Sequence, residues 1–117
     1  MTIERTARTA SEVIIAEATS WPGVETAPGR FGAVALICGR REIGHLHGDH
    51  AAHFSFPKDV WSDLRGQGRI VPHPVFPQAR GPAARRIEND EDVTEVIALL
   101  RLNYESAVAR HGVSDAA

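Results

Sequence analysis

The sequence is poor in the features that mark secreted and membrane-spanning proteins. Cys38 is its only cysteine, which excludes an intramolecular disulfide, and its apolar neighbours indicate a buried thiol rather than a nucleophile. No apolar run reaches the roughly 18 residues that cross a bilayer. The polar start of the chain does not resemble a signal peptide. These features predict a protein that enters no membrane and is located in the cytoplasm.

The chain also has no excess of positive charge. The chain has 13 basic and 15 acidic residues and a net charge of -2, so no basic excess would attract nucleic acid. Lys58 is the only lysine, and we interpret the prevalence of arginine as the bias of a GC-rich genome. We therefore expect a small molecule or a protein as the partner, and no nucleic acid.

The length and the order of the predicted elements indicate an α+β fold. The 117 residues fit one domain, which we place at residues 9–112 between flexible termini at 1–8 and 113–117. Thr9 and Glu12 have capping-box spacing, which predicts a helix at 10–20. Apolar patterns, turns and prolines then predict strands at 24–27, 31–38, 41–47 and 53–56, a helix at 57–65, a proline-rich crossover at 69–82, a strand at 83–87 and a helix at 90–110. We expect an antiparallel β-meander sheet with helices packed on one face and a long C-terminal helix.

A short histidine-rich hairpin is the most informative stretch, because four of the six histidines lie within residues 45–53. Strand residues two apart share a face, so His45 and His47 should point the same way. A zinc site needs three neutral imidazoles at about 2.0–2.1 Å from the ion. We expect His73, held over the sheet by the proline-rich crossover, to be the third. The alternative is that these side chains form a polar strip and bind no metal, with His50 and His53 solvated on a turn.

Strand register decides which other side chains join this face, and the sequence leaves it open. A two-residue turn at Gly39-Arg40 would place Val34 and Leu36 beside His45 and His47. An even-numbered loop after His47 would bring His50 or Ala52 to that side, whereas an odd-numbered loop with a bulge would bring His53 over.

The letters His45-x-His47-x-Asp49-His50 match a zinc-binding motif of the metallo-β-lactamase superfamily. That fold is a four-layer sandwich of about twice this length, which a domain of this size cannot hold. Its remaining ligands lie far downstream, where the only histidines are His73 and His111. Without that structural context we do not assign the motif to that superfamily.

Several separated blocks between residues 21 and 110 form a recognisable pattern. They are Glu42-Ile43-Gly44-His45-Leu46-His47-Gly48-Asp49, then Phe54-Ser55-Phe56-Pro57, then Gly68-Arg69-Ile70-Val71-Pro72-His73, and the apolar helix from Leu99 to Val108. In this order the blocks resemble the small bacterial and fungal proteins grouped as the luciferase domain family. The element order is also similar to that of the MmcQ/YjbR-like proteins. The family name does not establish light emission, and the sequence has no flavin or nucleotide fingerprint.

The resemblance implies a functional role for His45, His47 and His73, which occupy the matching polar positions. One departure follows the proline-rich segment. Where the family pattern has Gly-Trp before a strand, this chain has Gly81-Pro82-Ala83. If that tryptophan lines a pocket in relatives, the pocket of this protein is altered.

Two classes of function fit these observations. The first is a binding or accessory module whose sheet face holds a small anionic ligand or a protein partner through His45, His47, His73 and Arg85. The second is an enzyme, hydrolytic or other, in which histidine is a general base or in which His45, His47 and His73 hold zinc. No Ser/His/Asp or Cys/His spacing favours the enzyme, so we expect the binding module.

A homodimer is a further expectation. Leu99 and Leu102 lie off the main apolar stripe of the last helix. Trp61 lies on a short helix that we expect to be half exposed. These residues either belong to a broad, buried helix surface or form a contact between two copies.

Overall fold

Residues 8–111, which the computed structural model describes, form an antiparallel sheet and three α-helices. The elements in chain order are α1 (Ala10–Thr19), β1 (Val24–Pro28), a 3-10 turn (Arg30–Gly32), β2 (Val34–Cys38), β3 (Arg41–His47), β4 (Ala51–Ser55), α2 (Lys58–Gly66), β5 (Val71–Pro72), β6 (Pro82–Arg86) and α3 (Asp90–His111). Apart from Arg8, the predicted flexible termini lie outside the described residues, as does Gly112, the predicted end of the last helix.

The sheet has six strands in the order β1-β2-β3-β4-β6-β5, and every neighbouring pair is antiparallel. The first four strands form a meander, and the crossover from β5 returns the chain so that β6 lies between β4 and β5. The predicted α+β fold with an antiparallel sheet is confirmed.

The helices share one apolar core with one face of the sheet. The side chain of Thr9 caps α1 as the capping box predicts, and Asn89 Oδ1 accepts the Asp92 N–H at 2.9 Å at the start of α3. Helix α1 packs against α3, and α3 packs against β3. Leu100 of α3 is fully buried, and Trp61 and Leu64 of α2 belong to the same core. The opposite face of β2, β3 and β4 lines a cavity.

A β-bulge in β3 sets the register of the histidines. Ile37 pairs with Glu42 but Leu36 pairs with Gly44, so Ile43 is the extra residue. Ile43 and Gly44 both face the core. A Cβ atom at Gly44 would lie 2.6 Å from Leu100 Cδ2, so a side chain at this position would clash with α3.

The strand predicted at 31–38 begins later in the structure. Phe31 lies in the 3-10 turn with φ 56°, and its side chain is 93% exposed. Gly29 precedes this turn and Gly32 ends it, and the Ala33 N–H donates to the Arg30 carbonyl at 3.0 Å. Phe31 is therefore an apolar residue that does not pack in the core.

The residues considered for a homodimer contact were expected either to belong to a broad, buried helix surface or to form a contact between two copies. Leu99 and Trp61 are buried, as a broad helix surface requires, whereas Leu102 is 39% exposed. Among the described residues, no helix has both the length and the apolar character needed to traverse a bilayer.

Candidate metal centre

The turn between β3 and β4 brings a third histidine to the face of His45 and His47. His47 pairs with Ala51, so three residues, Gly48 to His50, form the connection, with Gly48 at φ 60°. His45 is then directly opposite His53. This is the odd-numbered alternative, and His53 lies on the sheet face rather than on a solvated turn.

The bulge also changes the neighbours of this face on β2. His45 pairs with Ala35, and Val34 pairs with Leu46. The prediction that Val34 and Leu36 lie beside the histidines is therefore wrong, because the extra residue in β3 shifts the register by one. Small Ala35 leaves more space beside His45 than Val34 would.

His45, His47 and His53 form the histidine triad. Their ring centroids are 5.0 Å apart for His45–His47, 5.2 Å for His45–His53 and 4.4 Å for His47–His53. One ring nitrogen from each lies within 4.8 Å of the other two. It is the one group of three potential metal ligands with this geometry among residues 8–111. The nitrogen atoms of a tetrahedral zinc site lie about 3.4 Å apart, so the three rings would have to turn inward to bind zinc.

Glu42 fixes the orientation of one ring of the triad. Its Oε2 atom lies 2.7 Å from Nδ1 of His45. A carboxylate oxygen accepts, so Nδ1 carries the hydrogen and Nε2 of the neutral ring keeps its lone pair. Carboxylate–histidine–metal arrangements use this same contact to hold a ligand in place and to raise its basicity.

His73 approaches the triad from the crossover, but its hydrogen bonding suits a different role. Its ring centroid lies 4.2 Å from that of His53. Nδ1 of His73 accepts the Val75 N–H at 3.1 Å, so Nε2 of the neutral ring must carry the hydrogen. With the hydrogen on Nε2 this ring can donate a hydrogen bond, and a metal at Nε2 would require it to give up the bond from the Val75 N–H. The crossover thus brings His73 beside His53, and the third nitrogen that converges with His45 and His47 belongs to His53.

The other polar residues singled out in the sequence face elsewhere. Arg85, predicted to add positive charge to the site, instead donates to Asp92 Oδ1 at 2.6 Å and to the Arg69 carbonyl at 3.0 Å. Asp49 accepts the Ser11 N–H at 2.9 Å, which ties the β3–β4 turn to α1. His50 is exposed on that turn. The literal metallo-β-lactamase motif thus contributes only its first two histidines to the triad.

Burial and mutual repulsion lower the pKa values of His47, His53 and His73. Burial, followed by the neighbouring charges of His73, His47 and His45, lowers the pKa of His53 to about 4. Burial is also the main cause that lowers the pKa of His47, with His45 adding to it. The pKa of His73 is lowered by burial and by His45 and His47. Neutral imidazoles have the free lone pairs that a metal needs.

A cavity of about 800 Å³ adjoins the histidines. The 3-10 turn forms one wall with Arg30 and Phe31, and the crossover forms another with Val75 and Phe76. Its floor is the face of β2 and β3, including Ile37. The site is therefore a polar cluster at the base of a largely apolar cleft.

Sequence reasoning did not select His53, although the signal for it was present. Alternation alone predicts that His53 shares the face only when the connecting loop has an odd number of residues. The start of β4 at Ala51 decided this, and Gly48, with its positive φ, was the residue that permits the three-residue turn.

The comparisons with known proteins identify a family. Residues 40–103 match the family model described as the Luciferase domain. The match spans more than half of the 117 residues and contains His45, His47, His53 and His73. No curated protein and no solved structure matched the chain. The chain therefore belongs to the Luciferase domain family, as the separated sequence blocks predicted.

Proposed function

We propose that this domain binds zinc through the histidine triad and uses the metal to hold a small ligand in the adjoining cavity. The observation that carries the proposal is the convergence of one ring nitrogen from each of His45, His47 and His53 within 4.8 Å. Borderline-soft Zn²⁺ suits neutral imidazole ligands, and the lowered pKa of His53 favours the neutral form.

Three protein ligands leave one coordination position for another group. Structural zinc sites are normally closed by four protein ligands, whereas sites with three exchange the fourth. His45, His47 and His53 also line the cavity, so the remaining position is accessible from it. This arrangement favours a ligand-binding role over a purely structural one.

Two residues would support the metal and its ligand without binding zinc themselves. Glu42 accepts from Nδ1 of His45 and so presents Nε2 to the triad. His73, with Nδ1 engaged by the Val75 N–H, can donate its Nε2 hydrogen to a ligand beside His53. A bound zinc would supply a Lewis acid at the base of the cavity.

Hydrolysis is the second candidate, and the acidic residues favour binding over it. A hydrolytic site needs a base within hydrogen-bond reach of the attacking water. Among the described residues that line the cavity, Glu42 is the only carboxylate, and it is engaged with His45. The same open position that favours ligand exchange keeps hydrolysis as the alternative.

Zinc binding by protein purified without an affinity tag tests the proposal. We expect one zinc per chain by elemental analysis and a single site by calorimetric titration. His53→Ala should weaken zinc binding by more than about 100-fold, since loss of a ligand should exceed the 10–100-fold effect of supporting residues. His50→Ala is the matched control, because it removes an exposed histidine from the same hairpin.

Equal zinc affinity of the His53→Ala and His50→Ala proteins would reject the triad. Failure of the folded wild-type protein to bind zinc would reject the proposed function.

A further inference from the structure

The exposed apolar side chains of this protein are concentrated at one place. Among the described residues, five large hydrophobic side chains are exposed, and three of them, Phe31, Val75 and Phe76, line the cavity above the histidine triad. Their exposed fractions are 93%, 68% and 54%. Scattered apolar residues on a surface are ordinary, but a cluster around a cavity marks a binding site.

Phe31 is held in this position at a conformational cost. It is the one non-glycine residue with a positive φ among the described residues, and its ring gains almost no burial in return. Strained backbone positions persist where the surrounding structure enforces them and commonly occur at ligand sites. Here the turn is closed by the Gly29 N–H, which donates to the Ala33 carbonyl at 2.8 Å.

Unlike the apolar walls, the base of the cavity favours a negatively charged group. Three neutral histidines with a bound Zn²⁺ would carry a charge of +2, and Arg30 at the rim adds a further positive charge. Glu42 is engaged with His45, and His73 offers a donor hydrogen. Hard anionic oxygen atoms are the groups that such a base would recognise.

We infer that the ligand is a small amphiphilic carboxylate, and specifically an arylalkanoate, whose carboxylate binds the metal and whose apolar body packs between Phe31 and Phe76. This inference rests on the proposed zinc site. The cavity of about 800 Å³ has the size of pockets that hold small organic ligands. Aromatic rings on the two walls favour an aryl group through offset or edge-to-face packing.

Titration of the cobalt(II)-substituted full chain with a carboxylate series tests the inference. Cobalt(II) takes the place of zinc and reports a change of coordination in its visible absorption. We expect 4-phenylbutyrate to bind at least tenfold more tightly than acetate, with each buried methylene adding roughly fourfold. Neutral 4-phenylbutanol should bind more weakly than 4-phenylbutyrate, because it lacks the anionic head.

Variants of the cavity wall separate the apolar contacts from the metal. In the Phe31→Ala/Phe76→Ala protein, the preference for 4-phenylbutyrate over acetate should fall severalfold while cobalt affinity stays unchanged. Leu102→Ala is the matched control, since Leu102 is an exposed apolar residue of α3 that does not line this cavity, and it should keep the wild-type preference.

The outcomes distinguish the inference from the proposed function. Cobalt binding with equal affinity for acetate and 4-phenylbutyrate would overturn the inference and leave the metal site intact. A preference that the wall variant retains in full would also overturn it. Absence of cobalt binding would overturn the proposed function and the inference together.

Discussion

Glu42 lies outside the triad, and its hydrogen bond with His45 should be the contact that most affects the affinity of the triad for metal. We predict that Glu42→Gln weakens zinc binding by about 10–100-fold, because an amide no longer enforces the hydrogen on Nδ1 of His45. Isothermal titration with zinc at constant pH measures the effect. The Glu42 and His45 side chains are 44% and 28% exposed, so the substitution should change folding stability little.

Removal of a negative charge would by itself weaken the binding of a cation, so the control has to lose the same charge. Glu25→Gln does so on the exposed surface of β1. A loss of zinc affinity as large in the Glu25 variant as in the Glu42 variant would mean that charge, and not the hydrogen bond to His45, is responsible.

At the residue scale, the sequence predicts those site members that depend on local periodicity. His45 and His47 share a face because strand side chains alternate, and this required no knowledge of the rest of the fold. His53 joins them through the length of one turn, and Ala35 replaces Val34 beside them through one bulge. Each feature changes the number of residues between paired positions by one, and a change of one residue moves every following side chain to the other face of the sheet.

Among the elements, β6 and α3 are joined by Arg85, which we expected at the ligand site. Its ion pair with Asp92 has side chains only 20% and 14% exposed, and Arg85 also satisfies the Arg69 carbonyl beside β5. We predict that Arg85→Ala lowers the free energy of unfolding by about 1–3 kcal/mol, because it leaves partly buried acceptors without their donor. Zinc affinity should stay as in the wild type.

Urea denaturation and zinc titration of the same Arg85→Ala preparation measure both effects. Arg86→Ala on the same strand is the matched control, since the Arg86–Glu88 pair is largely exposed and should contribute little. A weakened zinc site in a fully stable Arg85→Ala protein would restore Arg85 to the binding site.

The elements with strong periodicity or capping were predictable, and those set by tertiary contacts were not. Helix α1 follows its capping box, and α3 follows its long apolar stripe and acidic first turn. Residues 31–33 were predicted to extend β2 because Phe31 is apolar, yet the residue is exposed at the cavity. Apolar character alone does not tell a core residue from one that lines a ligand site.

In the whole molecule, the two faces of the sheet have separate tasks. One face is covered by the helices and carries the core residues Leu36, Leu46 and Phe54. The other carries the histidines and is walled by the 3-10 turn and the crossover. On that face the histidines are partly buried, and burial together with their mutual repulsion lowers the pKa values of His47, His53 and His73.

This clustering predicts a pH dependence of stability for the metal-free protein. The folded-state pKa of His53 is about 4, and those of His47 and His73 are also lowered from their ordinary value of 6.5. The unfolded chain therefore takes up protons first as the pH falls below 6.5, which favours unfolding. The free energy of unfolding should decrease as the pH falls from 6.5 to about 4, and it should not change through these groups above pH 7. Urea denaturation with a chelator present, at intervals from pH 7.5 to 4.5, measures this.

His53→Gln identifies the source of the decrease. It should flatten the pH profile, because it removes the group whose pKa is lowered to about 4, whereas His50→Gln on the exposed turn should leave the profile as in the wild type. Hydrogen bonds lower the pKa values of Asp49 and Asp92 from 3.8. The main donor to Asp49 is Ser11, and the main donor to Asp92 is Arg85. Their stabilising contributions are therefore lost below the measured range and cannot produce the effect. Equal flattening by both histidine variants, or a wild-type stability independent of pH between 7 and 4.5, would show that the histidines do not share a desolvated cluster.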